Sequence, residues 1–232
     1  MNTLVTCKEL TKTYGNKNAL NHVSFEIESG HIIGLLGPNG SGKTTFIKLL
    51  NGLLTPTSGE IYVKKLPVGI ESKKIISYLP DQTYLNMNNT VEEVIDYFSA
   101  FYADFEKGRA YQMLESLHIS PKDKLKAMSK GTKEKVQLIL VMSRRAELYV
   151  LDEPIAGVDP AARDYILQTI LTNYDPDASI LISTHLISDI ENILDQVIFI
   201  KEGEICLQAS VDDIRMQHQK SVDALFREVF KC

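Results

Sequence analysis

The sequence predicts an α/β fold: a mostly parallel sheet, a small antiparallel β lobe beside it, and a helical insert. Three observations predict it. Short Val/Ile/Leu-rich runs recur with helical stretches between them, which favours parallel strands covered on both faces. The early strands instead alternate apolar and polar residues, as half-exposed antiparallel strands do. From Thr90 to about Met142 the pattern is helical, with Val91, Val94, Ile95 and Phe98 at helix spacing.

In order, residues 4–10 and 22–28 read as strands, the second with Val23, Phe25 and Ile27 alternating with Ser24, Glu26 and Glu28. Ser29-Gly30 ends it, 31–36 reads as a buried strand and 43–52 as a helix. Ser58-Gly59 turns into a strand at 60–63, and Ile75–Leu79 is the next. Strands return at 147–151, 179–183, 196–200 and 204–208, the last two joined by a hairpin turn at Glu202-Gly203. Residues 1–82 and 143–210 form the expected core with its antiparallel lobe, 83–142 a helical subdomain, and 211–232 a C-terminal helix that caps the core.

Composition narrows the function classes. The chain has 232 residues, 44% hydrophobic and 24% charged, enough for one substantial soluble domain. A net charge of −5 without like-charge runs argues against nucleic acid as a partner, since phosphate neutralisation dominates that affinity. Cys7, Cys206 and Cys232 match no metal-ligand spacing and read as free thiols in a reducing cytosol. No signal peptide is expected at the N-terminus. The longest apolar stretch, near Val136–Met142, is broken by Gln137 and is far short of the roughly 20 residues that span a bilayer. If the protein works at a membrane, another chain crosses it.

Gly37-Pro38-Asn39-Gly40-Ser41-Gly42-Lys43-Thr44-Thr45 follows an apolar strand and opens a helix. The pattern is that of a P-loop in its required context, and the expected core is a P-loop NTPase. Its glycines let successive N–H groups turn toward phosphate oxygens, and the helix N-terminus adds partial positive charge. Lys43 reaches the β- and γ-phosphates, and the Thr44 hydroxyl is placed for Mg²⁺. The Glu147–Leu151 run ends in Asp152-Glu153-Pro154. A strand of this kind carries Asp152 to the carboxyl edge of the sheet, where it can hold Mg²⁺. Glu153 is placed to polarise an attacking water. A solvated acidic strand end is the bland alternative; the upstream P-loop and the strand-stopping Pro154 weigh against it.

Further stretches fall in a telling order: Lys12-Thr13-Tyr14-Gly15, Met128-Ser129-Lys130-Gly131-Thr132, Ala156-Gly157-Val158-Asp159-Pro160, and a strand ending in Ser183-Thr184-His185. Over nearly its whole length the chain resembles the ATP-binding subunit of ABC transporters. That resemblance implies that Tyr14 stacks on adenine, and that Ser129 and Gly131 form the signature loop facing the ATP of an opposite subunit. It also implies that Asp159 bridges the two sites, and that His185 is the switch histidine that positions Glu153 and the water.

Two departures stand out. The signature reads Met-Ser-Lys-Gly-Thr in place of Leu-Ser-Gly-Gly-Gln, with Lys130 expected to face solvent. Where the family carries a Mg²⁺- and water-contacting glutamine, this chain has Tyr78-Leu79-Pro80-Asp81-Gln82, and either Asp81 or Gln82 can fill that place. The resemblance implies a Mg²⁺-dependent ATPase, catalysed by Lys43, Glu153 and His185, that powers transport through ATP-driven dimer closure. Its partners would be a membrane-spanning permease and a second ATP-binding subunit, with no nucleic acid. The chain would sit in the cytoplasm against the inner face of the membrane, with permease helices docked near residues 82–100. The small bacterial exporter-type subunits are the nearest in pattern. The alternatives are a non-transport ABC-type ATPase, which usually carries two ATPase halves or long coiled coils, and a regulatory nucleotide-binding module; the Asp152-Glu153 pair and His185 argue against the latter.

Overall fold

The computed structural model describes residues 2–156, 158–175 and 177–230, so Gly157 and Cys232 lie outside the described residues. The chain begins with two long antiparallel strands, β1 (Thr3–Tyr14) and β2 (Lys17–Glu28). The short buried strand β3 (Ile32–Leu36) leads into helix α1 (Lys43–Leu50). Strands β4 (Ser58–Val63) and β5 (Leu66–Pro67) return to β1, completing an antiparallel sheet of order β2-β1-β4-β5. Helix α2 (Ile70–Ile75) then runs directly into β6 (Ile76–Leu79). Ile75 is thus the last residue of a helix rather than the first of a strand.

Three helices follow: α3 (Val91–Phe101), α4 (Lys107–Ser116) and α5 (Lys130–Met142). Thr90 starts α3 through a reciprocal cap: its hydroxyl accepts from Glu93 N while the Glu93 carboxylate accepts from Thr90 N. Strand β7 (Leu148–Asp152), helix α6 (Pro160–Asn173), strand β8 (Ser179–Thr184) and helix α7 (Ile187–Ile190) come next. Strands β9 (Gln196–Lys201) and β10 (Glu204–Ser210) meet in a hairpin whose turn residues, Glu202 and Gly203, both have positive φ (51° and 83°). That is the geometry a two-residue turn needs to match the twist of its strands. The C-terminal segment is divided: α8 (Val211–Asp213) passes into a single wide turn over Ile214–His218, Gln219 adopts a left-handed conformation, and α9 (Val222–Val229) restarts after the Ser221 cap.

The main sheet has six strands in the order β10-β9-β3-β8-β7-β6, parallel except for the β9–β10 hairpin. Its strands are apolar on both faces because both are covered. Ile33, Leu35, Leu148, Val150, Leu181 and Ile198 pack with Phe46, Leu49 and Leu50 of α1 and the inner face of the antiparallel sheet. The alternate residues Ile32, Leu36, Tyr149, Leu151, Ile182 and Phe199 pack against the helices of the opposite side. The expected α/β architecture with an antiparallel lobe is therefore what the chain forms. Of the cysteines described, Cys7 is buried, which pushes its thiol pKa up, and Cys206 is exposed; neither is disulfide-bonded. No helix among the described residues is long and apolar enough to cross a membrane.

Candidate active site

The sheet order places four loops side by side. The P-loop follows β3, His185 follows β8, Glu153 follows β7 and Asp81 follows β6, all at the carboxyl edge of neighbouring parallel strands.

The P-loop closes on α1 through Gly42, whose φ of 117° is inaccessible to most side chains; a Cβ there would lie 2.5 Å from the Ala19 carbonyl oxygen. Lys43 is 6% exposed, and its ammonium donates to the carbonyls of Gly37 (2.8 Å) and Pro38 (3.3 Å). It also lies 3.6 Å from Glu153 Oε1. Burial lowers the Lys43 pKa, and the charges of Glu153 and Asp152 oppose that shift.

Asp152 is fully buried at the end of β7. Its Oδ1 accepts from the Ser183 hydroxyl, and from Thr44 at 3.5 Å. Its Oδ2 has no hydrogen-bond partner among the described residues. Burial raises the pKa of this carboxyl; the Ser183 and Thr44 hydroxyls counter it, and the nearby charges of Asp81 and Glu153 reinforce it. A buried, unpaired carboxylate oxygen beside a threonine hydroxyl is the oxygen donor set a hard divalent cation takes, so the residues fit Mg²⁺.

Glu153 has a φ of 52°, a costly conformation for a glutamate. It is held there by its N–H, which donates to the Ser183 carbonyl (3.0 Å) and hydroxyl (3.2 Å). This turn throws the carboxylate inward, where Oε2 meets His185 Nδ1 at 3.0 Å. Asn39, Asp81, Gln82, Asp152, Glu153 and His185 line one cleft of about 680 Å³.

Other residues singled out in the sequence lie at the edge of this cleft, as Lys130 does, or beyond its lining. Tyr14, half exposed at the end of β1, has the Lys12 ammonium 5.4 Å from its ring centroid. Ser129 is the exposed N-cap of α5; its hydroxyl accepts from Thr132 N (3.1 Å) and lies 2.8 Å from the Thr132 hydroxyl. Thr132, which replaces the usual glutamine, thus holds the serine at the helix tip. Gly131 has open space around it, and Asp159 is exposed just before α6. The Lys130 side chain is 80% exposed and 3.7 Å from Glu134. Ser183 and Gln137 are the site residues that sequence reasoning missed. The register pairing Asp152 with Ser183 across β7 and β8 is the signal for the first; Gln137, a lone amide in an apolar stretch of α5, is the signal for the second.

This cradle of a lysine and a buried carboxylate at the sheet's carboxyl edge defines a P-loop nucleotide-binding ATPase. The family model described as ABC transporter matches residues 20–156, and the chain belongs to that family. It is 35% identical over 208 residues to the SkfA peptide export ATP-binding protein SkfE of Bacillus subtilis (strain 168), covering 87% of each chain. It is 29% identical over 219 residues to the linearmycin resistance ATP-binding protein LnrL of the same organism, covering 91% of this chain and 70% of that one. A solved ATP-binding subunit of an ABC transporter superposes with a TM-score of 0.89 at 30% identity, over 99% of this chain and 100% of the other. The fold is also that of a dimeric cassette captured after hydrolysis with ADP and Pi (TM-score 0.78, 23% identity, 89% of this chain and 98% of that one). The chain is therefore an ATP-binding and ATP-hydrolysing subunit that powers a membrane transporter.

Proposed function

We propose that this subunit works as one half of an ATP-driven dimer on the cytoplasmic face of an export system. The unpaired, buried Asp152 Oδ2 next to the Glu153–His185 pair carries this reading. Backbone N–H groups of Gly37–Thr45 and the Lys43 ammonium hold the phosphate chain. Thr44 and Asp152, with Asp81 or Gln82 beside them, would hold Mg²⁺, which would supply charge neutralisation on the phosphate chain. Asp81 and Gln82 both line the cleft with Asp152; Asp81 is favoured because a carboxylate is the better oxygen donor for a hard cation. Glu153 accepts the proton of the attacking water, and His185 orients that carboxylate and contacts the γ-phosphate. Tyr14 stacks on the base.

Ser129, exposed at the N-terminal tip of α5, and Gly131 complete the site of a second ATP-binding subunit, with Asp159 bridging the two. Closure excludes bulk water and completes the charge clamp, and loss of the γ-phosphate opens it. A second cleft, of about 650 Å³, lies beside the first and is lined by Leu53, Tyr84, Phe98, Phe101 and Tyr102. It shares Pro80–Thr83 with the hydrolysis cleft, so a permease segment seated there senses the nucleotide directly.

The test is the dependence of ATP hydrolysis on protein concentration, with sedimentation of Glu153→Gln in Mg-ATP. A turnover per subunit that rises with concentration, and a dimer that forms only with nucleotide, support the reading. Constant turnover by a monomer at every concentration overturns it.

A further inference from the structure

Gln137 is a polar residue in the otherwise apolar second half of α5, and it is 3% exposed. Its Oε1 has no hydrogen-bond partner among the described residues. Turning the amide over only exchanges an acceptor for donors at that spot. Burying such a group without a partner is unfavourable, and an apolar residue of similar volume would serve packing better. The side chain therefore points to a partner that arrives in another state of the molecule.

The surroundings identify that partner. Lys130, Lys133, Glu134 and Gln137 fall at helical spacing on one side of α5 and line the cleft that also holds Gln82, Asp81, Asp152 and Glu153. One turn beyond Gln137, the Val141 carbonyl accepts from the Ser77 hydroxyl at 2.8 Å, which fastens the end of α5 to β6. The helix runs back against β6, since it feeds the parallel strand β7. Four residues of helix cover about 6 Å, or roughly two residues of strand. Gln137 is thus level with Leu79–Pro80, both of which line the same cleft. The next amide along the chain is that of Gln82, which is exposed.

The geometry points to Gln137 as a positioning residue. As the cleft closes on nucleotide, its amide pairs with the amide of Gln82 and so holds the neighbouring Asp81 against Asp152. Two primary amides satisfy each other reciprocally, one N–H to one oxygen in each direction. This assigns separate tasks to the two adjacent residues: Asp81 approaches the metal site, and Gln82 anchors the loop to the helical side. The inference rests on the proposed role of Asp81 at the metal.

The experiment is a double-mutant cycle on the purified full chain, measuring kcat and KM for Mg-ATP, with Gln137→Leu, Gln82→Ala and the pair. Thermal melting accompanies each variant, and Gln137→Met replaces Gln137→Leu if the latter does not fold. The expected result is a melting temperature at or above wild type for the Gln137 variant, an unchanged KM, and a kcat lowered about tenfold. The double variant is no slower than the slower single variant, because the pair acts as one unit. A kcat within twofold of wild type for the Gln137 variant, or losses that multiply in the double variant, overturns the pairing. A wild-type chain whose hydrolysis is insensitive to Asp81→Ala overturns instead the role of Asp81 on which the pairing rests.

Discussion

His185 Nδ1 lies 3.0 Å from Glu153 Oε2, while the other oxygen of that carboxylate faces the Lys43 ammonium at 3.6 Å. One carboxylate is thus shared between two strand ends and the P-loop, and its direction is fixed before substrate arrives. Replacing Glu153 by Gln keeps the shape and removes the proton acceptor. Turnover is expected to fall about 10²–10⁴-fold, with ATP affinity retained. Phosphate release and calorimetric titration of the same preparation check both halves; unchanged turnover would remove Glu153 from the role of base.

Lys43 sets stability against binding. Burial lowers its pKa, so between that lowered value and the ordinary lysine pKa the native state binds fewer protons than the unfolded chain. Stability therefore rises with pH across that window. Below it both states are charged, and the cost of burying the cation stands in full. Lys43→Met is expected to be at least as stable as wild type at neutral pH without nucleotide, and to lack the alkaline rise. It should also lose the increase in melting temperature that ATP gives the wild type. Melting curves at several pH values, with and without Mg-ATP, measure all three; a variant still stabilised by ATP counts against the P-loop assignment.

The architecture was legible because its signals are periodic. The alternation of Val23, Phe25 and Ile27 and the apolar run before Gly37 each report a local environment repeated along an element. The P-loop and Asp152-Glu153 were legible because phosphate and metal chemistry requires those residue types in contiguous order. Contacts between elements were not. Nothing in the Ser183-Thr184-His185 run says that the serine, rather than the threonine, meets Asp152; that follows from the register of β7 on β8. The break at Gln219 escaped the pattern for a different reason. A left-handed residue that is not glycine carries no compositional mark, so 211–232 read as one helix.

Arg144 shows what such inter-element contacts hold together. Its guanidinium is buried, donating to Asp104 from Nε and Nη2, to the Ile76 carbonyl from Nη1 (2.5 Å) and to the Lys74 carbonyl from Nη2 (2.7 Å). The Tyr102 ring lies 3.9 Å from Cζ. It thereby ties the α3–α4 connection to the start of β6. Arg144→Met strands a partly buried carboxylate and two carbonyls, and is expected to cost about 3–5 kcal/mol. Arg144→Lys should recover little, because an ammonium cannot reproduce the planar fork. Urea denaturation measures both; a methionine variant within 1 kcal/mol of wild type, on the order of ordinary surface substitutions, would show that the clip contributes nothing net.

Tyr14 tests base selection separately from chemistry. It is half exposed at the end of β1, with Lys12 Nζ held nearby by the Thr55 carbonyl at 2.8 Å. A flat ring face offers stacking to any base, and such contacts are worth about 0.5–1.5 kcal/mol. Tyr14→Ala should therefore weaken ATP and GTP alike, by about 2- to 12-fold on that scale, while kcat at saturation stays unchanged. Tyr14→Trp should restore affinity, since it keeps the stacking face without the hydroxyl. Selective loss of ATP over GTP would mean that the site reads the edge of the base, and the ring would then be positioning a hydrogen bond rather than supplying a platform.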